Sequence, residues 1–252
     1  MLILITIFGI LLIPSNAFAW GPLTHIFIGN EILTLSSLLP PAVYSVIKQY
    51  REDFLYGNII ADLVIGKKYL PPDKNVHGWD FGFNLLDSAQ NNQQKAFVYG
   101  YLVHLAADTV AHEFLTHEKK NIAHTLYELK ADSLLHKKYW LQAVTIKKNV
   151  QRRNDEFLGN SISRLFLSFR TFKRIFKGIT FFSLFTSEGM SNFMDRHQGV
   201  IAVPEDNKIK NLRQQSLVRA IDVLNNGRLS SILEKNPSGN YKEVLRYSST
   251  LI

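Results

Sequence analysis

The strongest constraint on the fold is an apolar stretch that carries three polar side chains at helical spacing. Between Lys95 and Leu115, the residues His104, Asp108 and His112 follow one another four positions apart. Residues four apart lie on one face of a helix, with Cβ atoms about 5–6 Å apart. The rest of the stretch is apolar enough to be buried, so it predicts a long buried helix whose polar groups need partners inside the protein.

Histidine and carboxylate side chains on one buried face are typical of a metal site. The rise from His104 to His112 is about 12 Å, which is too far for one ion to bind both easily. Asp108 lies between them and has two oxygens, so it could bridge two ions. A second pair with the same spacing, His124 and Glu128, follows on the next predicted helix. The spacing therefore indicates more than one metal ion, with a buried polar network among these side chains as the alternative.

Composition narrows the kind of metal site and the kind of partner. The chain has no cysteine, which excludes disulfides and thiolate ligands and leaves histidine, carboxylate or backbone groups to hold a metal. The formal net charge is +8. An excess of positive charge favours anionic partners such as phospholipid surfaces or nucleic acid, but it does not choose between them.

Residues 1–19 have the pattern of an export signal. Leu2 to Ile13 is almost entirely apolar, and Ala17-Phe18-Ala19 has the small-x-small form after which signal peptidase cuts. The apolar run is shorter than the about 20 residues that span a bilayer. We therefore expect an exported protein, periplasmic or extracellular, whose mature chain begins at Trp20. No Lys or Arg precedes the apolar run, so an uncleaved membrane anchor is the alternative.

The remainder of the chain is predicted to be all-α. Glycine and proline separate segments of helical periodicity, and convincing alternating strands are scarce. Besides Lys95 to Leu115, the predicted helices are His25 to Leu38, Ala42 to Gln49, Asp53 to Ile65 and Ile122 to Trp140. The stretch from Gly78 to Asn91 has no decisive pattern. The tail from Ile201 has the pattern of capping helices and turns. We expect a helical core over residues 20–150 and a helical C-terminal part of the same domain over residues 151–252.

The segment from Arg152 to Phe185 interleaves bulky apolar and basic side chains, as in Phe172-Lys173-Arg174-Ile175-Phe176-Lys177. A basic amphipathic segment can lie on an anionic membrane surface, which would give the protein peripheral membrane contact. The alternative is an ordinary helix with its apolar side in the core and its basic side in water.

Several motifs, taken in order along the chain, resemble those of bacterial zinc-dependent phospholipases C. They are Trp20-Gly21-Pro22-Leu23-Thr24-His25, Gly57-Asn58-Ile59-Ile60-Ala61-Asp62, His77-Gly78-Trp79-Asp80, the His104-Asp108-His112 helix, and His124-x3-Glu128. The resemblance covers about residues 20 to 140. It implies a multi-helix bundle with three zinc ions in a cleft, an architecture that single-strand-specific zinc nucleases share.

The resemblance also implies which residues bind zinc. His25 and the α-amine and carbonyl of Trp20 would bind one zinc. Asp62, His77 and His104 would bind a second zinc, and Asp108 would bridge these two ions. His112, His124 and Glu128 would bind the third zinc. The gap between Asp108 and His112 is shorter than in the family pattern, which makes His117 a reserve candidate for the third zinc. His136 and His197 match no motif and are expected at the surface.

Each outlying ligand also has a simpler interpretation. Asp62 could cap a helix or face solvent, since aspartate commonly does both. His77 lies in a polar loop and could be solvated. Trp20 could be only an apolar anchor.

The activity that the resemblance implies is hydrolysis of a phosphodiester. Paired zinc ions lower the pKa of bound water and clamp the oxygens of an in-line displacement. Asp62 would orient or deprotonate the attacking water. We expect a phospholipase C that cleaves glycerophospholipids to diacylglycerol and a phosphorylated headgroup. The alternatives are a zinc nuclease that acts on single-stranded nucleic acid and a non-catalytic, zinc-stabilised, membrane-associated binding protein.

Overall fold

A computed structural model describes residues 20–63, 76–114, 127–128, 130–161 and 204–238. These residues form helices and no strand, which confirms the all-α prediction. The helices are α1 (Pro22–Thr34), α2 (Pro41–Gln49), α3 (Arg51–Ile60), α4 (Trp79–Asp87), α5 (Asn92–Phe114), α6 (Lys137–Thr145), α7 (Lys148–Ser161) and α8 (Asp206–Asn226). Short 3₁₀ turns lie at Ser36–Leu38, Ala61–Leu63, Gly227–Leu229 and Ser231–Glu234.

Helix α5 is at the centre of the described residues. Every residue from Gly100 to His112 is buried, and α3, α4 and α8 pack around this helix. A helix that is buried on all sides is normally apolar on all sides. The polar residues in this stretch are therefore tolerated only because other elements bring partners to them.

Helices α3 and α5 cross at two glycines. A Cβ added at Gly57 would lie 1.9 Å from the carbonyl oxygen of Phe97, and one added at Gly100 would lie 2.0 Å from the carbonyl oxygen of Phe54. The two backbones are thus in direct contact, and only glycine fits at either position. This close approach brings the C-terminal end of α3 against the polar face of α5.

The structure corrects one helix prediction and refines others. The predicted single helix from Ile122 to Trp140 is wrong, because the described part ends at Ser133 and α6 begins at Lys137. After the break, His136 caps the start of α6, because its ring accepts a hydrogen bond from the backbone N of Lys138 at 3.1 Å. A histidine cap leaves no glycine or proline for sequence analysis to recognise. His136 is exposed, as expected.

Other boundaries differ by a few residues. The helix predicted to end at Leu38 ends at Thr34 and is followed by a 3₁₀ turn, and the one predicted to begin at Asp53 begins at Arg51. The stretch without a decisive pattern contains α4. The C-terminal tail does more than cap the fold, because α8 packs along α5.

Several sequence predictions concern residues outside the described ranges. These are the export signal in residues 1–19, most of the basic segment (Arg152 to Phe185), and the side chains of His117, His124 and His197. The proposed division of the chain at residues 19 and 150 also stays a prediction. Within the described ranges, no helix is both long enough and apolar enough to cross a membrane.

Replacing Gly57 with alanine tests the helix crossing. The added methyl would meet the backbone of α5, so the free energy of unfolding, measured by urea denaturation, should fall by at least about 1–3 kcal/mol. Gly159→Ala in α7 is the matched control. A Cβ there meets nothing within 4 Å, and alanine favours a helix by about 1 kcal/mol over glycine. Equal stability of the two variants would contradict a direct backbone contact.

Candidate metal centre

Five of the expected ligands meet beside the middle of α5, and each is at most 3% exposed. They are His25 from α1, Asp62 from the 3₁₀ turn after α3, His77 from the residues before α4, and His104 and Asp108 from α5 itself. Four separate parts of the chain therefore converge on one buried point.

Asp108 presents its two oxygens to different imidazoles. Its Oδ1 lies 3.2 Å from Nε2 of His25. Its Oδ2 lies 2.8 Å from Nε2 of His77 and 3.2 Å from Nε2 of His104. One oxygen of the carboxylate thus lies near the histidine from α1, and the other lies near two further histidines.

Asp62 faces the same imidazoles from the end of α3. Its Oδ1 lies 3.5 Å from Nε2 of His104, and its Oδ2 lies 3.9 Å from Nε2 of His25. Asp62, His77, His104 and Asp108 each offer one ligand atom, and these four atoms all lie within 4.8 Å of one another. Asp62 does not face solvent and His77 is not solvated, because both are buried.

The imidazole of His104 is oriented by the neighbouring helix. Its Nδ1 lies 2.9 Å from the carbonyl oxygen of Asn58 in α3. A carbonyl can only accept, so Nδ1 donates and Nε2 is left to face the carboxylates. The ring stacks on that of His25 with centroids 3.9 Å apart, and His77 meets it edge-on at 5.0 Å. Such a hydrogen bond to the far nitrogen is typical of histidines that bind metals.

The buried charges shift the pKa values of these groups. Burial alone would lower the pKa of His104, but the carboxylates of Asp108 and Asp62 raise it to about 10. Burial and the neighbouring charge of His104 lower the pKa of His25. Burial would raise the pKa of Asp108, but His104 and His25 hold it well below its ordinary value. In the zinc-free protein, His104 therefore carries the proton that partly balances two buried carboxylates.

The arrangement of these side-chain atoms suits a metal ion better than it suits hydrogen bonds among the side chains themselves. Among the described residues, Nε2 of His25, Nε2 of His104 and Oδ1 of Asp108 are buried but form no hydrogen bond of acceptable geometry. A buried polar atom left in this way costs about 1–3 kcal/mol. Nitrogen and carboxylate oxygen are zinc ligands, and two ligands of a tetrahedral zinc lie about 3.3 Å apart. The 3.2 Å between His25 and Asp108 is compatible with that spacing.

Trp20 is anchored by its side chain next to this cluster. The indole is fully buried, and its Nε1 donates to the carbonyl oxygen of Ala107 at 3.1 Å and to Oγ of Ser216 at 3.0 Å. Ala107 directly precedes Asp108, so the indole holds the backbone of Trp20 near the Asp108 carboxylate. The role of the Trp20 amine and carbonyl as ligands stays a prediction.

The third-zinc ligands are not part of the group of four. His112 is buried on α5 at 6% exposure, and Glu128 is half-buried on a helical stretch that also contains residues 130–133. His124 and its reserve His117 lie outside the described residues. The third site therefore stays a prediction.

Sequence analysis missed the contribution of Asn58. The residue lies within one of the family-like motifs, but its function is carried by the backbone oxygen, which any residue could supply. The signal that could have revealed it is Gly57, because a glycine inside a helix indicates close approach of another backbone.

A sequence model of the zinc-dependent phospholipase C family matches residues 24–173. The chain belongs to this family. The match includes every expected ligand except Trp20, and it extends into the basic segment. No curated protein and no solved structure matches the chain. Family membership supports a zinc-dependent hydrolase of the phospholipase C type, and the buried aspartate and histidine cluster could bind a metal ion.

The proton on His104 should make the stability of the zinc-free protein depend on pH. Folding raises the pKa of His104 from 6.5 to about 10. The stabilisation of the folded state by protonated His104 is therefore complete below about pH 6.5, and it is lost as the pH rises towards about 10. We expect the free energy of unfolding of chelator-treated protein, measured in urea, to fall across this range and to fall less steeply in His104→Gln.

The control for this measurement is His136→Gln, at an exposed position. The free energy of unfolding of this variant should depend on pH as steeply as that of the wild type. A wild-type slope in His104→Gln as well would contradict the assignment of the proton to His104. Zinc should reduce the dependence on pH, because binding requires a neutral imidazole and releases the proton.

Proposed function

We propose that the protein is a zinc-dependent phospholipase C that cleaves glycerophospholipids on the glycerol side, releasing diacylglycerol and a phosphorylated headgroup. The observation that carries the proposal is the position of Asp108. One of its oxygens faces His25 at 3.2 Å, and the other faces His77 at 2.8 Å and His104 at 3.2 Å. A carboxylate placed in this way suits two cations side by side, which is an arrangement used for in-line displacement at phosphorus.

The proposed ligand sets divide the residues around Asp108. His25, with the amine and carbonyl of Trp20, would hold one zinc. Asp62, His77 and His104 would hold the second, and Asp108 would serve both. A third zinc, which His112, His124 and Glu128 would hold, rests on the family motif.

In this mechanism, bound zinc lowers the pKa of an attacking water and offsets the charge on the phosphoryl oxygens. The chain itself supplies orientation and a proton acceptor. Asn58 holds the His104 ring by its Nδ1, which keeps Nε2 directed at the centre. Asp62 is the proposed catalytic residue, because its two oxygens allow it to bind metal through one and to orient or accept the proton of the attacking water through the other. Burial of the cluster strengthens these interactions, since few water molecules compete with them.

The substrate and location follow from the same proposal. Phospholipid is the partner that the family implies, and the net charge of +8 favours an anionic surface. We propose that residues Arg164 to Phe182 of the basic segment contact that surface. We also propose that the protein is exported, with Trp20 as the first residue of the mature chain.

A comparison of substrates and variants tests the function. The purified mature protein should hydrolyse phosphatidylcholine vesicles with added zinc, much less after chelation, and should leave single-stranded DNA intact. Asp108→Asn should lower the rate by at least about 100-fold, because the amide keeps the shape but loses the charge that holds two cations. His136→Gln, at an exposed position, should retain the wild-type rate.

Two outcomes would contradict the proposal. Degradation of single-stranded DNA in preference to vesicles would favour the nuclease alternative. Near-normal hydrolysis by Asp108→Asn with its zinc retained would rule out a bridging role for this carboxylate.

The N-terminus gives an independent test. Mass spectrometry of the active protein, expressed with its own leader, should find a chain that begins at Trp20, because processing there creates the amine that the first zinc needs. Metal analysis of the same sample should find more than one zinc per chain. An intact Met1 on fully active protein would remove the Trp20 amine from the ligand set.

A further inference from the structure

A buried carboxylate outside the expected ligand set holds the start of α1. Asp132 is 6% exposed. It accepts hydrogen bonds from the backbone N of Leu23 at 3.1 Å, the backbone N of Thr24 at 3.0 Å and Oγ1 of Thr24 at 2.8 Å. The first amides of a helix have no partner within it. The Asp132 side chain, 108 positions after Thr24, therefore accepts the hydrogen bonds of the backbone amides in the first turn of α1.

The segment before α1 fits closely around this carboxylate. A Cβ added at Gly21 would lie 2.4 Å from Oδ2 of Asp132. The backbone of Gly21 has φ −71° and ψ 162°, which any residue can adopt. Space, rather than backbone conformation, therefore disfavours a side chain between Trp20 and Pro22.

The backbone next to Asp132 is bound by α8. Arg213 is 7% exposed and donates from Nη2 to the carbonyl oxygen of Ala131 at 3.1 Å. Burial raises the pKa of Asp132 to about 6, against the opposing effect of its hydrogen bonds and of the Arg213 charge. The carboxylate is thus held by the first turn of α1, and the backbone beside it is held by α8.

Asp132 holds the chain between the two groups expected to bind the first zinc. On one side, His25 directly follows Thr24 and places its Nε2 3.2 Å from Oδ1 of Asp108. On the other side, Trp20 is fixed by its indole to Ala107. A shift of the first turn of α1 would therefore displace both groups relative to Asp108.

We propose that Asp132 is a positioning residue of the metal centre, which holds Leu23 and Thr24 so that Trp20 and His25 reach one side of Asp108. This inference rests on the proposed zinc-dependent function and adds to it a residue that acts through the backbone of α1. A helix cap that served stability alone would not need to lie between two ligands.

Asp132→Asn tests the inference. The amide nitrogen of asparagine donates and cannot accept from the α1 amides, so the first turn should loosen. Zinc affinity, measured by competition with a chelator, should fall about 10- to 100-fold, which is the loss typical of residues that orient metal ligands. The visible absorption of Co²⁺ bound in place of zinc, which reports ligand geometry, should also change.

Gly21→Ala provides a second variant that leaves the carboxylate in place. Its methyl would force the chain at Gly21 and the Asp132 carboxylate apart, so zinc affinity and cobalt absorption should change in the same direction. If Asp132→Asn does not fold, this variant decides the outcome.

Two matched controls separate positioning from general stability. Asp53→Asn alters another buried carboxylate, which accepts from Nε of Arg153 at 2.9 Å and from Nδ2 of Asn154 at 2.7 Å. Gly159→Ala adds a methyl where nothing lies within 4 Å. Both should keep wild-type zinc affinity and cobalt absorption, although Asp53→Asn should lower the free energy of unfolding.

The possible results distinguish this inference from the proposed function. Wild-type zinc affinity in Asp132→Asn and Gly21→Ala would overturn the inference and leave the function intact. The inference would also be wrong if Asp53→Asn lost as much zinc affinity at an equal loss of stability. A wild-type protein that binds no zinc would overturn both proposals.

Discussion

The buried charge of Asp108 is the constraint on which the rest of the centre depends. The carboxylate is fully buried in a helix that is itself buried on all sides. An uncompensated charge in such a place is unfavourable by several kcal/mol. Partial compensation comes from the protonated His104 one turn earlier on α5 and from His77 before α4, whose Nε2 lies 2.8 Å from Oδ2. The contacts that bring these elements to α5 therefore also make its central carboxylate tolerable.

The close crossing of α3 and α5 determines which groups can join this arrangement. Packed helices usually keep their axes about 8–10 Å apart, whereas at Gly57 and Gly100 the two backbones touch. Asn58 follows Gly57, so its carbonyl reaches Nδ1 of His104. Asp62 then emerges just beyond the end of α3 and faces the same ring. Two small residues thus set both the orientation of one imidazole and the position of the second carboxylate.

The sequence was sufficient for features that depend on local spacing. Helix α5 covers Asn92–Phe114, close to the predicted Lys95 to Leu115, because its apolar character and its histidine and aspartate repeat lie within one segment. The convergence of His25 and His77 on this helix was expected only through the family motifs. Their distances from Asp108 are set by packing between elements remote in the chain, which spacing does not encode.

The same limit explains why Asp132 was missed. It lies four residues after Glu128 and so continues the spacing that drew attention to that helix. Its partners, however, are mainly backbone amides more than 100 positions away, and a backbone amide has no sequence signature. The break before α6 was missed for a related reason, because the capping group is a histidine ring rather than a turn-forming residue.

The hydrogen bond between Trp20 and Ser216 joins residues 196 positions apart. Ser216 also donates to the carbonyl oxygen of Ala107 at 3.3 Å, so the same hydroxyl completes the pocket around the indole. During folding, the pocket around the Trp20 indole cannot be complete until α8 has packed against α5, because Ser216 forms part of it. Any chemistry that depends on Trp20 therefore requires a contact between residues far apart in the chain.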